Sequence, residues 1–418
     1  MACPIPRKYP PKQPPSWKPP VPRWQLTFPS TINAVHTLYI GIQSHTSPNP
    51  ALSSALASLT TWLAHTARPA SIDAFLTETT LAHDLPHSRV WVLYFTSPTV
   101  FTAALATLDL PARHRAAGPT VGFWAESFST PISRLETNYA GLHERPGLAR
   151  LSEVGREGHE LSAYWGAARD RIPASGEDLF ALPGSKVPEP DGRNGDGEEL
   201  REARGKGEKA KTTWHVTDEL STESDAVEVQ ILRETEVPRG YGQRLVGGNY
   251  DNMTHIRSGQ CWDQCPEDEA EAYTRPGGLQ EKLMKGMEYL WTHPEETGTL
   301  GLRWLRNVVS DENKKPEGEA RADGTSVRPI NETCGAGFFR NLKDLENWSS
   351  THPSHMAIFT GAHKHAREWG SDRKFMTWHE VSVLKRGEAR WEYVNCDPRT
   401  GVVRYVKMDS VEDLSAKQ

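Results

Sequence analysis

The chain has 418 residues, of which 37% are hydrophobic and 24% charged, with a formal net charge of -6. That is enough chain for two or three domain-sized units around a sizeable core, and the mild negative balance argues against a general nucleic-acid binder. Apolar runs such as Val90 to Phe95 fall far short of the ~18 residues that suggest a membrane span, and the proline-rich, basic start lacks the apolar region of a secretory signal, so a cytoplasmic protein without membrane partners is expected.

The first 22 residues hold nine prolines. An arm over 1–24 should therefore run extended, either as a flexible tail or packed on the body through Trp17 and Trp24. A β-α-β rhythm then begins. Thr37 to Ser44 reads as a strand. Ala51 to Thr66 carries Leu52, Leu56, Leu59 and Leu63 at helical spacing. Arg89 to Thr96 is a nearly continuous apolar strand, and Ser97-Pro98 is a helix start leading into Phe101, Leu105 and Leu108. Thr120 to Phe128 reads as a third strand, and Leu161 to Arg171 as a turn or two of helix stopped by Pro173.

Gly184 to Lys211 differs. Fourteen of its 28 residues are charged, and only Val187, Leu200, Ala203 and Ala210 are apolar. Such a segment cannot bury enough surface to offset its ordering entropy, so an insertion is expected over 184–225. It separates an N-terminal half, 25–183, from a C-terminal half, 226–407, with a tail over 408–418. In the second half, strands are predicted over Ala226 to Arg233, Asn252 to Trp262 and Gly301 to Val309, with a short one around Phe338-Phe339. Helices are predicted over Leu279 to Trp291, Leu342 to Trp348 and Pro353 to Trp369, and a polar loop over Asp311 to Arg328. Phe375 to Lys385 and Arg390 to Asn395 should pair as a hairpin around Arg386-Gly387. The pattern favours an α+β fold with a split β-α-β, ferredoxin-like unit in each half. A doubly wound nucleotide fold is disfavoured, because Gly335-Ala336-Gly337 is too short to be a phosphate loop.

The five cysteines, Cys3, Cys261, Cys265, Cys334 and Cys396, offer no zinc-ribbon spacing and read as ordinary thiols. No GxSxG, HExxH or Walker motif is present. Two histidines stand out. Pro353 suits the first turn of a helix, which places His355 on a face with Ile358, Phe359 and Ala362. One imidazole over an apolar surface is what an axial haem ligand needs, and it is also what a capping or core histidine looks like. Strand alternation puts His379 on a face with Phe375, Thr377, Val381 and Val383, either as a proton-transfer group or as a satisfied core residue. Ser258 shares a face with Thr254, Ile256 and Gln260, and Arg169-Asp170-Arg171 places two arginines around an aspartate. Spacing alone does not choose between those arginines.

Tyr164 to Pro173, Asn252 to Trp262, Phe338 to Phe359, Trp378 to Val383 and Tyr393 to Gly401 occur in an order that resembles the haem-containing aldoxime dehydratases, in particular the phenylacetaldoxime dehydratase group. The resemblance runs from about Trp24 to about Val406, the charged insertion excluded. It implies a dimeric α+β barrel of ferredoxin-like units with haem b (protohaem IX, iron ferrous) between a helix and the sheet. It implies dehydration of an aldoxime to a nitrile, with phenylacetaldoxime or related arylaliphatic or alkyl aldoximes as the small-molecule substrate and a homodimer as the assembly. By the same resemblance His355 is the proximal iron ligand, His379 the distal acid-base, and Arg171 and Ser258 the distal hydrogen-bond donors. The chain departs from the family pattern at Ser162, where bacterial members carry histidine, and at Cys261, where they tend to carry aspartate. Two rival readings remain at this stage: a peroxidase-like haem enzyme on a related fold, and a non-enzymatic haem-binding or α+β interaction protein.

Overall fold

The computed structural model describes residues 7–77, 85, 88–141, 146–151, 158–186, 231–310 and 327–414. Most of the expected charged insertion, from 187 on, and most of the expected loop, over 311–326, lie outside the described residues, as does 226–230 of the expected strand. Residues 231–233 are not in a strand.

Among the described residues twelve strands form one sheet in which every pair is antiparallel. They are β1 Ala34–Ser44, β2 Ser71–Thr77, β3 Arg89–Phe95, β4 Val121–Pro131, β5 Leu135–Tyr139, β6 Gln243–Gly248, β7 Met253–Cys261, β8 Thr299–Ser310, β9 Val327–Phe339, β10 Met376–Leu384, β11 Ala389–Val394 and β12 Asp409–Asp413. Their spatial order is β12-β6-β11-β4-β1-β3-β2-β8-β9-β7-β10-β5. The N-terminal four run β4-β1-β3-β2 and the C-terminal four β8-β9-β7-β10. The two groups join where β2 pairs with β8, Phe75 opposite Asn307. The fold is thus mixed α and β on an antiparallel sheet, as the alternation in the sequence predicts.

The predicted hairpin is not formed. β10 and β11 do not pair as a hairpin: β10 takes β5 and β7 as neighbours, and β11 takes β4 and β6. Both edges of each strand are occupied, so no edge remains for the partner next in sequence. The turn signal at Arg386-Gly387 is real, since Glu388 N–H donates to the Lys385 carbonyl, but a turn fixes direction and not partners. Phe338-Phe339 also ends a 13-residue strand instead of forming a short one.

The sheet curls, so that side chains from distant strands meet on its inner face. Arg257 of β7 donates to Asp73 of β2 and to the Tyr94 hydroxyl of β3, at 2.8 and 2.7 Å. Arg303 of β8 pairs with Glu126 of β4 through two bonds of 2.7 and 2.5 Å. Buried rings of Tyr39, Trp124, Phe338, Trp378 and Trp391 fill the space around them. Such charges are tolerated inside because each is paired.

Helices cover the outer face. α1 Pro50–Trp62, α2 Pro98–Leu108 and α3 Leu110–Ala117 pack on the N-terminal strands. Asn49 and Ser97 cap the first two by accepting backbone N–H bonds, and proline opens each first turn. A short helix, α4, spans Ala167–Arg171. α5 Glu267–Thr274, α6 Leu279–Thr292, α7 Leu342–Thr351 and α8 Pro353–Trp369 cover the C-terminal strands. At Gly286 of α6 a Cβ would lie 2.7 Å from Cδ1 of Ile358, so α6 and α8 pack closely there. The arm is packed, as one of its two readings has it: Trp17 Nε1 donates to the Ser162 carbonyl, and Trp24 exchanges backbone bonds with Tyr139. No helix among the described residues is long and apolar enough to cross a membrane.

Candidate active site

Between α6, α8 and the outer face of β5, β7 and β10 lies a cavity of about 320 Å³. Its walls differ. The helix side is apolar, with Leu283, Met287, Trp348, Ile358 and Phe359. The sheet side carries the polar groups, Asn138, Ser258, Thr377 and His379 with Arg171 beside them, set among the apolar Ile256, Trp304 and Val381. All four residues singled out from the sequence, His355, His379, Ser258 and Arg171, line this one cavity.

His355 comes from the helix side. His352 caps α8, its ring accepting from Ser354 N–H at 3.3 Å, and Pro353 opens the first turn. That places His355, two residues after Pro353, over the cavity, with Ile358, Phe359 and Ala362 on the same lining face. Trp348 packs edge-on against its ring at 4.7 Å between centroids. Burial lowers its pKa to about 4; the Ser349 carbonyl pulls the other way, and the charge of His379 adds to the lowering. The imidazole is therefore neutral near pH 7. Its buried Nδ1 has no hydrogen-bond partner among the described residues. A neutral ring with lone-pair capacity and no acceptor role inside the protein is a metal-ligand candidate.

His379 comes from the sheet side. In the register it stands opposite Asn138 of β5 and Ser258 of β7, so the three form a row across three strands. The next residues on β7 and β10, back or forward by one, are Arg257 and Glu380, which face the inner network instead. His379 Nε2 lies 3.0 Å from Glu136 Oε1 and 3.0 Å from Arg171 Nη2. Arg171 Nε donates to the same carboxylate oxygen at 2.5 Å, and its Nη1 donates to the Leu161 carbonyl. Nε2 can thus donate to Glu136 when it carries a proton and accept from Arg171 when it does not.

The structure separates the two arginines that spacing left equal. Arg169 holds Glu346 with bonds of 2.7 to 3.1 Å and turns away from His379. Asp170 accepts from the Tyr164 hydroxyl and from Lys12 N–H of the arm. Of the two, only Arg171 reaches His379.

Glu136 escaped the sequence reading. It is wholly buried on β5, and burial alone would raise its pKa, but the Arg171 and His379 charges outweigh this and hold it below the usual carboxylate range. Its signal was faint: a carboxylate in Leu135-Glu-Thr-Asn-Tyr139, a short strand without an apolar run. Arg23 and Asn138, both on the cavity wall, were also missed.

A family model described as haem-containing dehydratase matches residues 38–210 and 209–402. The chain belongs to this family. It is 24% identical over 399 residues to a phenylacetaldoxime dehydratase of Bacillus sp. (strain OxB-1), covering 93% of both chains. It is 27% identical over 285 residues to an aliphatic aldoxime dehydratase of Rhodococcus globerulus, covering 68% of this chain and 62% of that one. A crystal structure of an aldoxime dehydratase superposes with a TM-score of 0.71 at 22% identity over 96% of both chains. A second, in complex with butyraldoxime, gives 0.72 at 22% identity over 96% of this chain and 94% of that one. These structural likenesses speak for the fold.

The residues present fit the haem of a haem-containing dehydratase. Among the described residues no group of three or more His, Cys, Asp or Glu could hold a bare metal ion. An iron at His355 must therefore bring its other ligands with it, as a porphyrin does, and the apolar helix-side wall suits a macrocycle. Among the described residues Cys261 and Cys265 form no disulfide.

Proposed function

We propose that the protein is a haem-dependent aldoxime dehydratase that converts R–CH=N–OH to the nitrile R–C≡N and water. The observation that carries this reading is one cavity in which a lone, neutral His355 on an apolar wall is opposed by the His379–Glu136–Arg171 cluster on a polar one. Ferrous haem held by His355 would supply electron density that weakens the N–O bond of a substrate bound through its nitrogen.

The remaining work falls to the chain's own side chains. Glu136 and Arg171 hold Nε2 of His379. Nδ1, without a partner among the described residues, is left to exchange a proton with substrate. Protonated His379 hands a proton to the departing hydroxyl as the N–O bond breaks, so water leaves in place of hydroxide. Neutral His379 then takes the carbon-bound proton as the C≡N bond forms, and is restored. A positioned acid-base of this kind contributes ~10²–10⁴-fold. Ser258 and Arg171 donate hydrogen bonds to the oxygen on which charge develops. We read the two four-stranded groups as ferredoxin-like units of a dimeric α+β barrel, with the haem between α8 and the sheet, and the assembly as a cytoplasmic homodimer. Phenylacetaldoxime and alkyl aldoximes are the substrates to try first.

The test is an absorption spectrum of haem-reconstituted protein, reduced with dithionite, before and after anaerobic addition of phenylacetaldoxime, with nitrile assayed in the same cuvette. A Soret band that shifts, with phenylacetonitrile appearing, supports cofactor and reaction together. No Soret band after reconstitution sinks the reading from His355 onward.

A further inference from the structure

Arg23 is a cation of the cavity wall with no carboxylate partner among the described residues. It is delivered by the arm, where Trp24 N–H donates to the Tyr139 carbonyl at 2.9 Å and the Trp24 carbonyl accepts from Tyr139 N–H at 2.8 Å. Its Nη1 donates to the Thr377 carbonyl and Oγ1 at 3.2 and 3.0 Å. Nε and Nη2 have no partner among the described residues, and no carboxylate among them forms an ion pair with it. The charges that bear on it, Arg373 and Arg171, are both repulsive; after burial they help pull its pKa down to about 9, so it stays charged at neutral pH. The carboxylates nearby are taken: Glu136, behind the lining, is shared by Arg171 and His379, and Glu346 of the lining is held by Arg169 and Lys12. A guanidinium so placed is costly to keep unless something anionic comes to it.

Its location says which side that anion occupies. Thr377 stands two residues before His379 on β10, on the same face, about 7 Å along the strand. Asn138, opposite His379 on β5, adds a second donor. Its Oδ1 is taken by His159 Nε2 at 3.2 Å, and its Nδ2 has no partner among the described residues. His159 is neutral, its pKa lowered to about 4 by burial and the Arg171 charge. Its buried Nδ1 meets no acceptor among the described residues, so the ring hydrogen belongs on Nε2 and the amide nitrogen of Asn138 is the end left over. Both donors lie on the polar wall with His379, across from His355.

We propose that this wall is a carboxylate subsite, in which Arg23 and the Asn138 amide select aldoximes whose side chain ends in a carboxylate. The proposal rests on the aldoxime chemistry above and names its substrate class. The substrate's R group then extends from the reacting carbon along β10 toward Thr377, while the oxime end stays beside His379. A haem propionate is the other source of a carboxylate in such a cavity, and the test separates the two.

The measurement compares butyraldoxime with the oxime of succinic semialdehyde, which carries a carboxylate in place of the terminal methyl. Kd is read from the Soret shift of the reduced holoenzyme, and kcat/KM from nitrile. The wild type should bind the carboxylate oxime the more tightly. Arg23→Met should cut that preference ~30-fold, the scale of a charge-assisted hydrogen bond, and Asn138→Leu about fivefold, as for a neutral one. Arg23→Lys should restore part of the preference. A preference unchanged in both Arg23→Met and Asn138→Leu overturns the subsite. The cofactor arm measures haem release to an acceptor globin for protohaem and for its dimethyl ester. If Arg23→Met speeds loss of protohaem but not of the ester, with the oxime preference unmoved, the carboxylate is the cofactor's and the substrate assignment fails. A wild type that binds haem but gives nitrile from neither oxime fails the dehydratase reading itself, and this one with it.

Discussion

Glu136→Gln is the most informative single change. The side chain is wholly buried and its Oε1 accepts from Arg171 at 2.5 Å and from His379 at 3.0 Å. Glutamine keeps the volume and one acceptor oxygen. Its amide can occupy the side of Oε2, which has no partner among the described residues. Packing should therefore survive, and the loss is chiefly one negative charge beside a buried guanidinium. Breaking a buried pair costs about 3–5 kcal/mol; with the Leu161 carbonyl still holding Arg171, the low end, about 3 kcal/mol, is expected at pH 7. The pH dependence follows from the depressed carboxyl pKa, where burial acts upward but Arg171 and His379 win. The stability it contributes is full above the unfolded value near 4.5 and is lost as pH falls through the lower folded value. Urea unfolding of wild type and variant should thus differ by about 3 kcal/mol at pH 7 and converge in acid. Turnover should drop ~10²-fold, because a proton donor loses its hold, while haem content and the Soret band stay as in the wild type. A variant that unfolds like the wild type at pH 7 and keeps kcat within threefold would refute the idea that this carboxylate holds the distal pair.

Three further changes separate the roles. His355→Ala should leave the fold intact but release haem, with added imidazole restoring a bound spectrum; retention of an unaltered spectrum removes His355 from the iron. His379→Ala should keep haem and the reduced spectrum while kcat falls ~10²–10⁴-fold, and near-normal turnover takes it out of proton transfer. Ser258→Ala removes one neutral donor and should cost about five- to tenfold in kcat/KM, with a changed spectrum of the bound aldoxime; an unchanged spectrum would mean the hydroxyl does not face the ligand.

What was legible in the sequence had a local cause. β1, β3 and α8 are announced by apolar runs, helical spacing and a proline at the first turn, and they form where those signals stand. The facing of His355, His379 and Ser258 followed from period alone, because the faces of α8, β7 and β10 are set by 3.6- and 2-residue repeats. β2, β5, β6 and β12 were not legible, for they are short or polar and exist through partners far along the chain. Glu136 disappeared with β5, since nothing local marks a carboxylate that will be buried by an arginine 35 residues away. The false hairpin has the same origin. Trp391 and Tyr393 are satisfied by the inner face near β4, which no turn rule reports.

The inner face also bears on the site, through strands that serve both sides. Arg257 and Glu380 are sequence neighbours of Ser258 and His379 and point the other way. Arg257 is wholly buried and donates to Asp73, while Glu380 accepts from the Tyr94 and Tyr139 hydroxyls at 2.8 and 2.7 Å and from Leu148 N–H. Burial raises the pKa of Glu380 in spite of Arg257. For Asp73 burial also acts upward, but Arg257 and Arg150 outweigh it and the value is lowered. Asp73 thus contributes stability above the usual aspartate range that disappears as pH falls through its lowered pKa. Glu380 does the reverse: its contribution is complete below the usual glutamate range and is lost as pH rises through its raised pKa. Arg257→Met leaves both carboxyls without their central cation, a loss of about 3–5 kcal/mol at pH 7. Protonating the two groups relieves it, so the gap to wild type should narrow near pH 4. The register that sets Ser258 opposite His379 runs through the same two strands, so kcat should fall with haem still bound. A destabilisation of equal size at pH 7 and pH 4 would mean that packing against Phe75 and Trp378, 4.9 and 4.7 Å from the guanidinium, is what Arg257 supplies, and not charge.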